Sequence, residues 1–230
     1  MPGESREVQC RAAGDLCLDR REALVRAEVA RDRSAKDLCY LLRVLQGLSR
    51  LFLRANGWEA EGAIPAASKY VLIAAPHTTN WDLFYFLSLA QVMGVRVSWM
   101  GKQSLFRGPM GTVMRAMGGL PVRRDRRSNL VDQMAAAFDA ADSLVLTVPA
   151  EGTRSYVAHW KSGFYQIALA ARVPIVLGYL DYERKRGGLG PELIPTGDVR
   201  EDMNEIRAFY GSICGKYPDK FGAIRLKEEM

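Results

Sequence analysis

Hydrophobic residues along the chain fall into short, unbroken apolar runs that alternate with longer amphipathic stretches. The runs are rich in β-branched and aliphatic residues and end at Pro or Gly, a pattern typical of buried strands. Strands are predicted at residues 70–75, 95–100, 121–123, 144–148 and 174–179. Helices are predicted from residue 83 to about Gly94 and at 128–141, 159–172 and 200–216, with a turn-rich loop at 187–197. This alternation predicts a layered α/β fold.

The first polar stretch with chemical potential follows the strand at 70–75. It reads His77-Thr78-Thr79-Asn80-Trp81-Asp82, and Pro76 ends the strand before it. With His77 in the lead-in and Asp82 in the first helical turn, the carboxylate can fold back onto one imidazole nitrogen and leave the other free to take a proton. The positive end of the helix dipole favours the neutral imidazole. The alternative is a helix cap formed by Thr79 or Asn80.

A second polar stretch follows the strand at 144–148, at the kind of strand end where open α/β sheets place ligands. Gly152 permits close approach of a backbone, and Thr153 offers a hydroxyl. The forked cation of Arg154 suits phosphate oxygens, and we expect Glu151 to hold that arginine in place. The alternative is an ordinary polar turn with a local Glu–Arg pair.

In this order, the two stretches resemble the signature of the glycerolipid acyltransferases, of the bacterial 1-acylglycerol-3-phosphate acyltransferase type. Two further blocks are similar to the same family: the segment from Gly101 to Arg124, and the strand that contains Val173-Pro174-Ile175-Val176. The resemblance covers residues 57–182. It implies a central, mixed and mostly parallel sheet flanked by helices, with an amphipathic helical segment before it.

The resemblance also implies a role for each matched residue. His77 is the catalytic base and Asp82 its partner, and the acceptor phosphate is bound by the following residues: Lys102, Arg124, Glu151, Gly152, Thr153 and Arg154. The implied reaction moves a fatty acyl group from an acyl-CoA or acyl-carrier-protein thioester to a hydroxyl of a lysolipid. Its simplest acceptor is 1-acylglycerol-3-phosphate, in phospholipid biosynthesis. No covalent enzyme intermediate is required, and no cofactor is expected beyond the thioester co-substrate.

The chain departs from the family pattern at three places, one of which is Arg123, where the family often has an acidic residue. Ala150 stands directly before the glutamate, where the family commonly has proline. Thr78-Thr79-Asn80-Trp81 replaces the filler with Gln and Ser found in many lysophosphatidate enzymes. These departures keep a glycolipid or amino-lipid acceptor as an alternative.

Other chemistries find little support in the residues. The sequence contains neither a Gly-x-Ser-x-Gly elbow nor the Gly-rich phosphate loops of nucleotide-binding proteins. His159 has no ligand-spaced partner, so no metal site is expected. The four cysteines, Cys10, Cys17, Cys39 and Cys214, lack paired spacing, which favours a reducing cytoplasmic compartment. A net charge of +6 implies an anionic partner, and no nucleic-acid motif accompanies it.

Access to lipid is the remaining requirement, and no apolar stretch reaches the roughly twenty residues of a spanning helix. Read as a helix, residues 36–54 carry one basic stripe, formed by Lys36, Arg43, Arg50 and Arg54. Six apolar residues fall on the opposite face: Leu38, Leu41, Leu42, Leu45, Leu48 and Phe52. Such a helix can lie in an anionic membrane interface, or it can pack its leucines on the domain. The resemblance favours membrane contact, because a lipid enzyme must reach its substrate.

These observations predict a charged extension at 1–34, an interfacial helix at 35–56 and an acyltransferase domain at 57–230. The expected location is the cytoplasm, with peripheral attachment to the cytoplasmic face of the inner membrane. A second apolar stripe, at Phe106, Met110, Val113, Met114 and Met117, suits an acyl-chain groove, a membrane-dipping element or core packing. The alternative function is a non-catalytic protein that binds membrane surfaces, in which the pair of His77 and Asp82 is only a cap.

Overall fold

The structure is a computed structural model and describes residues 40, 42–122 and 128–229. The chain divides into two compact units, Met1–Gly47 and Leu48–Met230. The predicted extension at 1–34 lies outside the described residues, as do Lys36 and Arg124. The domain boundaries drawn from the sequence stay predictions.

In the part of the chain that the structure describes, seven strands form one sheet in the order β1-β7-β6-β2-β5-β3-β4. They are β1 (Glu59–Glu61), β2 (Lys69–Ala75), β3 (Val97–Lys102), β4 (Gly119–Val122), β5 (Leu144–Val148), β6 (Ile175–Asp181) and β7 (Arg186–Leu193). Every neighbouring pair is parallel except β6 and β7, which are antiparallel. The predicted mixed and mostly parallel sheet is therefore confirmed.

In the described residues, one helix precedes β1, four connect successive strands and one follows β7. They are α1 (residues 42–55), α2 (Trp81–Met93), α3 (Gly108–Ala116), α4 (Ser128–Ala140), α5 (Gly163–Ala171) and α6 (Val199–Tyr210). Short 3-10 helices lie at Gln103–Phe106, Pro218–Lys220 and Lys227–Glu229. None of the helices in the described ranges combines the length and apolarity needed to cross a bilayer.

The central strand β2 shows why the apolar runs are continuous. Val71 and Ile73 pack into the main core with residues of α4, α5 and α6, whereas Leu72 packs into a second cluster that includes Phe86 of α2. Successive side chains of a strand point to opposite faces, and helices cover both faces of this sheet. Each of these three β2 side chains is therefore buried, at no more than 1% exposure.

The largest error in the predicted elements is the loop at 187–197, because residues 186–193 form strand β7. Its glycines hid the strand from a composition-based prediction, since Gly is normally depleted in strands. A Cβ at Gly188 would clash with the Glu61 carbonyl of β1, and one at Gly187 would come within 2.7 Å of the Leu89 side chain. The glycines are thus required by the close approach of neighbouring elements.

Two helices are shorter than predicted. α5 begins at Gly163 rather than at residue 159, and α6 ends at Tyr210 rather than at residue 216. Gly211, a poor helix former, follows α6 as its C-cap. The chain from 213 to 217 is consequently not helical, and it lies against the residues that follow β2.

Candidate active site

The parallel strands bring the sequence-predicted polar segments to one edge of the sheet. β2 pairs with β5 up to Ile73 and Val148, and β3 pairs with β5 up to Trp99 and Thr147. The segments that follow these strands therefore emerge side by side at their carboxyl ends. His77 follows β2, residues 151–154 follow β5, and Lys102 is the exposed last residue of β3.

The imidazole of His77 contacts the carboxylate of Asp82. Nδ1 lies 3.3 Å from Oδ2, and the two side chains are 24% and 4% exposed. Because the carboxylate engages Nδ1, Nε2 is the ring nitrogen left to exchange a proton with a substrate. The contact has the geometry expected from the sequence, with the histidine in the lead-in and the aspartate in the first turn of α2.

Asp82 is held by three further hydrogen bonds. Its Oδ2 accepts from the backbone amides of Thr78 at 2.8 Å and Thr79 at 2.9 Å. Its Oδ1 accepts from the Tyr182 hydroxyl at 2.7 Å. The carboxylate thus binds the backbone of the lead-in and contacts the imidazole at once. Of the two residues proposed as a helix cap, Thr79 accepts a hydrogen bond from the Trp81 amide through Oγ1, at 3.3 Å. Asn80 occupies the N-cap position but makes no side-chain capping bond.

Tyr182 is a site residue that the sequence patterns did not reveal. It directly follows β6, whose end adjoins the end of β2 in the sheet. The hydroxyl donates to a carboxylate, and burial raises its pKa well above the usual range, with the bond to Asp82 adding to the shift. Tyr182 is 100 residues from Asp82 in the chain, so the order of the strands was needed to show that the two residues meet.

Glu151 occupies a different position from the one predicted. Its Oε2 accepts a hydrogen bond from the His77 backbone amide at 2.9 Å, and its Oε1 is buried without a hydrogen-bond partner among the described residues. The residue is 1% exposed. The described residues do not show the expected pairing of Glu151 with Arg154, because one carboxyl oxygen binds the His77 backbone amide and the other has no hydrogen-bond partner.

The environment of Glu151 changes its protonation. Burial raises its pKa to about 7, and the negative charge of Asp82 adds a smaller increase. The hydrogen bond and the charge of His77 oppose this shift only partly. The site therefore contains a buried carboxyl that titrates close to neutral pH and is hydrogen-bonded to the backbone of the candidate base.

Residues 152–154 lie on the exposed rim of the site. Gly152 has φ +69°, and a Cβ there would meet the Lys161 side chain at 3.1 Å, so both backbone and space favour glycine. The Thr153 hydroxyl accepts from the Ser155 amide at 3.4 Å. No carboxylate of the described residues forms an ion pair with Arg154, whose guanidinium is thus available to an anion.

The C-terminal segment 214–217 closes one side of the site. The Tyr182 amide donates to the Cys214 carbonyl at 2.8 Å, and the Tyr217 amide donates to Thr78 Oγ1 at 3.3 Å. Between these anchors, the ammonium of Lys216 lies 5.6 Å from the Trp81 ring centroid and 5.9 Å from that of Tyr182.

Large apolar side chains are exposed on three helices. On α2 they are Trp81, Leu83, Phe84 and Leu87, and on α3 they are Met110, Val113 and Met117. On α1, Arg43, Arg50 and Arg54 are exposed as predicted, and so are Leu45 and Leu48 of the predicted apolar face. Leu53, which was not assigned to that face, is the buried residue of α1 and packs with Trp58 and Tyr85.

The described residues form no metal site, and a cavity found in the structure is not lined by His77 or Asp82. Within residues 40, 42–122 and 128–229, no group of three or more His, Cys, Asp or Glu side chains is placed to hold a metal ion. A pocket of about 400 Å³ is lined by residues 157–162 with Lys227 and Glu228, and it includes neither His77 nor Asp82.

Comparisons with known proteins identify the family and the fold of the chain. The sequence profile of the Acyltransferase family matches residues 59–177, more than half of the chain and the part that contains both polar segments. The fold is similar to the crystal structure of the 1-acyl-sn-glycerophosphate acyltransferase PlsC from Thermotoga maritima. The TM-score is 0.50 with 16% identity, over 75% of this chain and 76% of that one. No curated protein sequence matches the chain. The resemblance drawn from the two motifs is thus confirmed.

Proposed function

Because the chain belongs to the Acyltransferase family, we propose that it moves a fatty acyl group from a thioester donor to a hydroxyl of a phosphate-bearing lysolipid. One observation carries this proposal: His77 Nδ1 contacts Asp82 Oδ2 at 3.3 Å, within the matched region and at the carboxyl edge of the sheet. A base with an oriented ring and a free second nitrogen is what activation of a hydroxyl requires.

The reaction follows from the roles of the two ring nitrogens. Nε2 of His77 takes the proton of the acceptor hydroxyl as the oxygen attacks the thioester carbonyl. Asp82, held by three hydrogen bonds, stabilises the imidazolium that forms and keeps the ring oriented. Collapse of the tetrahedral intermediate breaks the carbon–sulfur bond, and the proton passes from His77 to the departing thiolate. No covalent enzyme intermediate is needed.

The acceptor is proposed to bind through its phosphate on the β5 and β3 side of His77. Arg154 and Lys102 supply positive charge there, and the exposed backbone at Gly152 allows close approach. The similar protein from Thermotoga maritima is a 1-acyl-sn-glycerophosphate acyltransferase, which supports 1-acylglycerol-3-phosphate as the first acceptor to test. Exposed Trp81 beside the base keeps glycolipid and amino-lipid acceptors as further candidates.

Membrane contact is proposed to be peripheral. The exposed apolar residues of α2 and α3, together with Arg50 and Arg54 of α1, fit the apolar and cationic requirements of an anionic membrane interface. Such contact lets a lysolipid and a fatty acyl chain reach the enzyme without leaving the membrane surface.

The decisive experiment is a mass-spectrometric screen of lysolipid acceptors against acyl-CoA and acyl-carrier-protein donors. Wild type, His77→Ala and the matched control His159→Ala should be compared, since His159 is the other histidine of the chain. We expect transfer by wild type and His159→Ala, and a loss of roughly 10²–10⁴-fold in His77→Ala, the usual contribution of general base catalysis. Folding and liposome binding should be retained.

Transfer at an unchanged rate in His77→Ala would refute the catalytic assignment. Absence of transfer with every donor and acceptor, combined with binding to anionic liposomes, would instead favour a non-catalytic membrane-surface protein.

A further inference from the structure

The Lys216 ammonium is fixed beside the catalytic pair by aromatic rings. It lies over Trp81, which belongs to the segment between His77 and Asp82, and beside Tyr182, whose hydroxyl binds Asp82. Cations within about 6 Å of an aromatic centroid are attracted to the ring face. The two rings thus hold a positive charge at the edge of the site without neutralising it.

The backbone around Lys216 is anchored to the same loop. Tyr217 donates to Thr78 Oγ1, and a Cβ at Gly215 would lie only 3.0 Å from Pro76 Cβ. Only glycine therefore fits without displacement where the segment crosses the end of β2. Because residues on both sides of Lys216 are held, its side chain starts from a defined position.

The Lys216 charge has no acidic partner among the described residues. Its side chain is exposed, and no described carboxylate forms an ion pair with it. An aromatic pair can orient a cation but supplies no counter-charge. The position is therefore suited to an anion that arrives with a ligand, and lysine is a common phosphate-binding residue.

The sheet order sets Lys216 apart from the proposed acceptor phosphate site. β5 and β3, which lead to Arg154 and Lys102, lie on one side of β2, and β6, which leads to Tyr182, lies on the other. His77 follows β2, so it stands between the two groups of cations. Cations on opposite sides of the base would let two anionic substrates bind with less repulsion between their like charges, because that repulsion falls with distance.

We propose that Lys216 and Trp81 form a second anion-binding subsite, which receives the phosphate of the pantetheine arm of the acyl donor. This inference rests on the proposed function. Acyl-CoA and acyl-carrier protein both present the thioester on a phosphopantetheine arm, so one cation serves either source. Trp81 is 51% exposed and contacts Phe84, which is 56% exposed, so an apolar surface adjoins the cation and suits the less polar part of the arm.

The test uses two thioesters that differ only by the phosphate, acyl-4′-phosphopantetheine and acyl-pantetheine. Lys216→Met should raise KM for the phosphorylated donor by roughly tenfold, as expected for one lost hydrogen bond to a charged group. KM for acyl-pantetheine and for the acceptor should stay unchanged. Lys216→Arg, which keeps the charge, should restore much of the affinity.

Lys220→Met is the matched control, because its ammonium also lies over an aromatic ring, that of Tyr217, at 4.7 Å. It should leave KM for both donors as in wild type. Parallel assays with acyl-CoA and acyl-carrier protein identify the carrier: it is the donor that wild type uses with the higher kcat/KM, and its KM should rise in Lys216→Met.

Three results would overturn the inference. They are an equal loss with acyl-pantetheine, a rise in the acceptor KM instead of the donor KM, and a loss of liposome binding with unchanged donor KM, which would indicate a lipid headgroup. The proposed function fails separately, through the absence of His77-dependent transfer in the otherwise wild-type protein. A wild-type enzyme that transfers acyl groups and an equally active Lys216→Met variant would refute the subsite alone.

Discussion

The loops after β2 and β5 are built alike in sequence but differ in how they are held. Both follow a buried strand and a proline, and their polar segments, residues 77–82 and 151–154, each carry one carboxylate and one basic side chain. In the first loop, the Asp82 carboxylate accepts three hydrogen bonds and contacts an imidazole. In the second, residues 152–154 are exposed, and Arg154 forms no ion pair with a described carboxylate.

The first loop is organised before substrate arrives, whereas the second is not. Groups that act on reacting atoms gain from being fixed in advance, whereas groups that capture a mobile anion gain from being accessible. Glu151 links the two loops, since it lies in the second loop and its carboxylate accepts a hydrogen bond from the backbone of the first. Replacing residues of each loop should therefore have separable effects.

The largest effect is expected for Asp82→Asn in the organised loop. The amide still accepts hydrogen bonds but loses the charge that stabilises an imidazolium and favours one tautomer. We expect kcat to fall by roughly 10³-fold, within the range of base catalysis, with little change in KM. Steady-state kinetics with circular dichroism as a folding control measure this, and a variant with a raised KM alone would contradict the assignment.

Glu151→Gln tests whether the connecting carboxyl is neutral when folded. With a folded pKa of about 7 and an ordinary value of 4.5, both states hold the proton below pH 4.5. Between these values only the folded state holds it, so wild-type stability decreases as pH rises and levels off above about 7. Glutamine lacks this titration. Its free energy of unfolding relative to wild type should therefore increase by about 3 kcal/mol between pH 4.5 and 8.

Urea unfolding of wild type and Glu151→Gln across this pH range provides the measurement. Other titrating groups are common to the two proteins, so the difference isolates residue 151. Parallel stability curves would show that the pKa of Glu151 is the same in the folded and unfolded states, which would contradict the effect expected from its burial.

Arg154→Ala is expected to have the smallest effect and to act on binding. Removing the exposed guanidinium should raise KM for a phosphate-bearing acceptor by roughly ten- to a hundredfold, as for a hydrogen bond to a charged group, and leave donor KM unchanged. Arg96→Ala is the control, since Arg96 is also exposed but precedes β3 at the opposite edge of the sheet. A fall in kcat with unchanged acceptor KM would contradict the binding role and indicate that Arg154 acts in the chemical step.

The hydrophobic pattern predicted strands well where every residue of the strand is buried. It predicted elements poorly where contacts with a distant part of the chain decide the local structure. The strand at 144–148 was predicted with its observed bounds, because an apolar run ended by proline leaves few alternatives. Strand β7 was missed, because its glycines are required by the close approach of β1 and α2, and glycine has a low strand propensity. The ends of α5 and α6 were misplaced because amphipathic periodicity continues into segments that pack as loops.

The buried strands, the two polar loops at their ends and the contact between His77 and Asp82 could be predicted from the sequence, since they depend on residues close together in the chain. Three contacts could be found only in the folded protein: Glu151 anchors His77, Tyr182 binds Asp82 and Lys216 lies beside Tyr182. They depend on strand order, because β5 and β6 flank β2 and so bring residues far apart in sequence to one edge of the sheet.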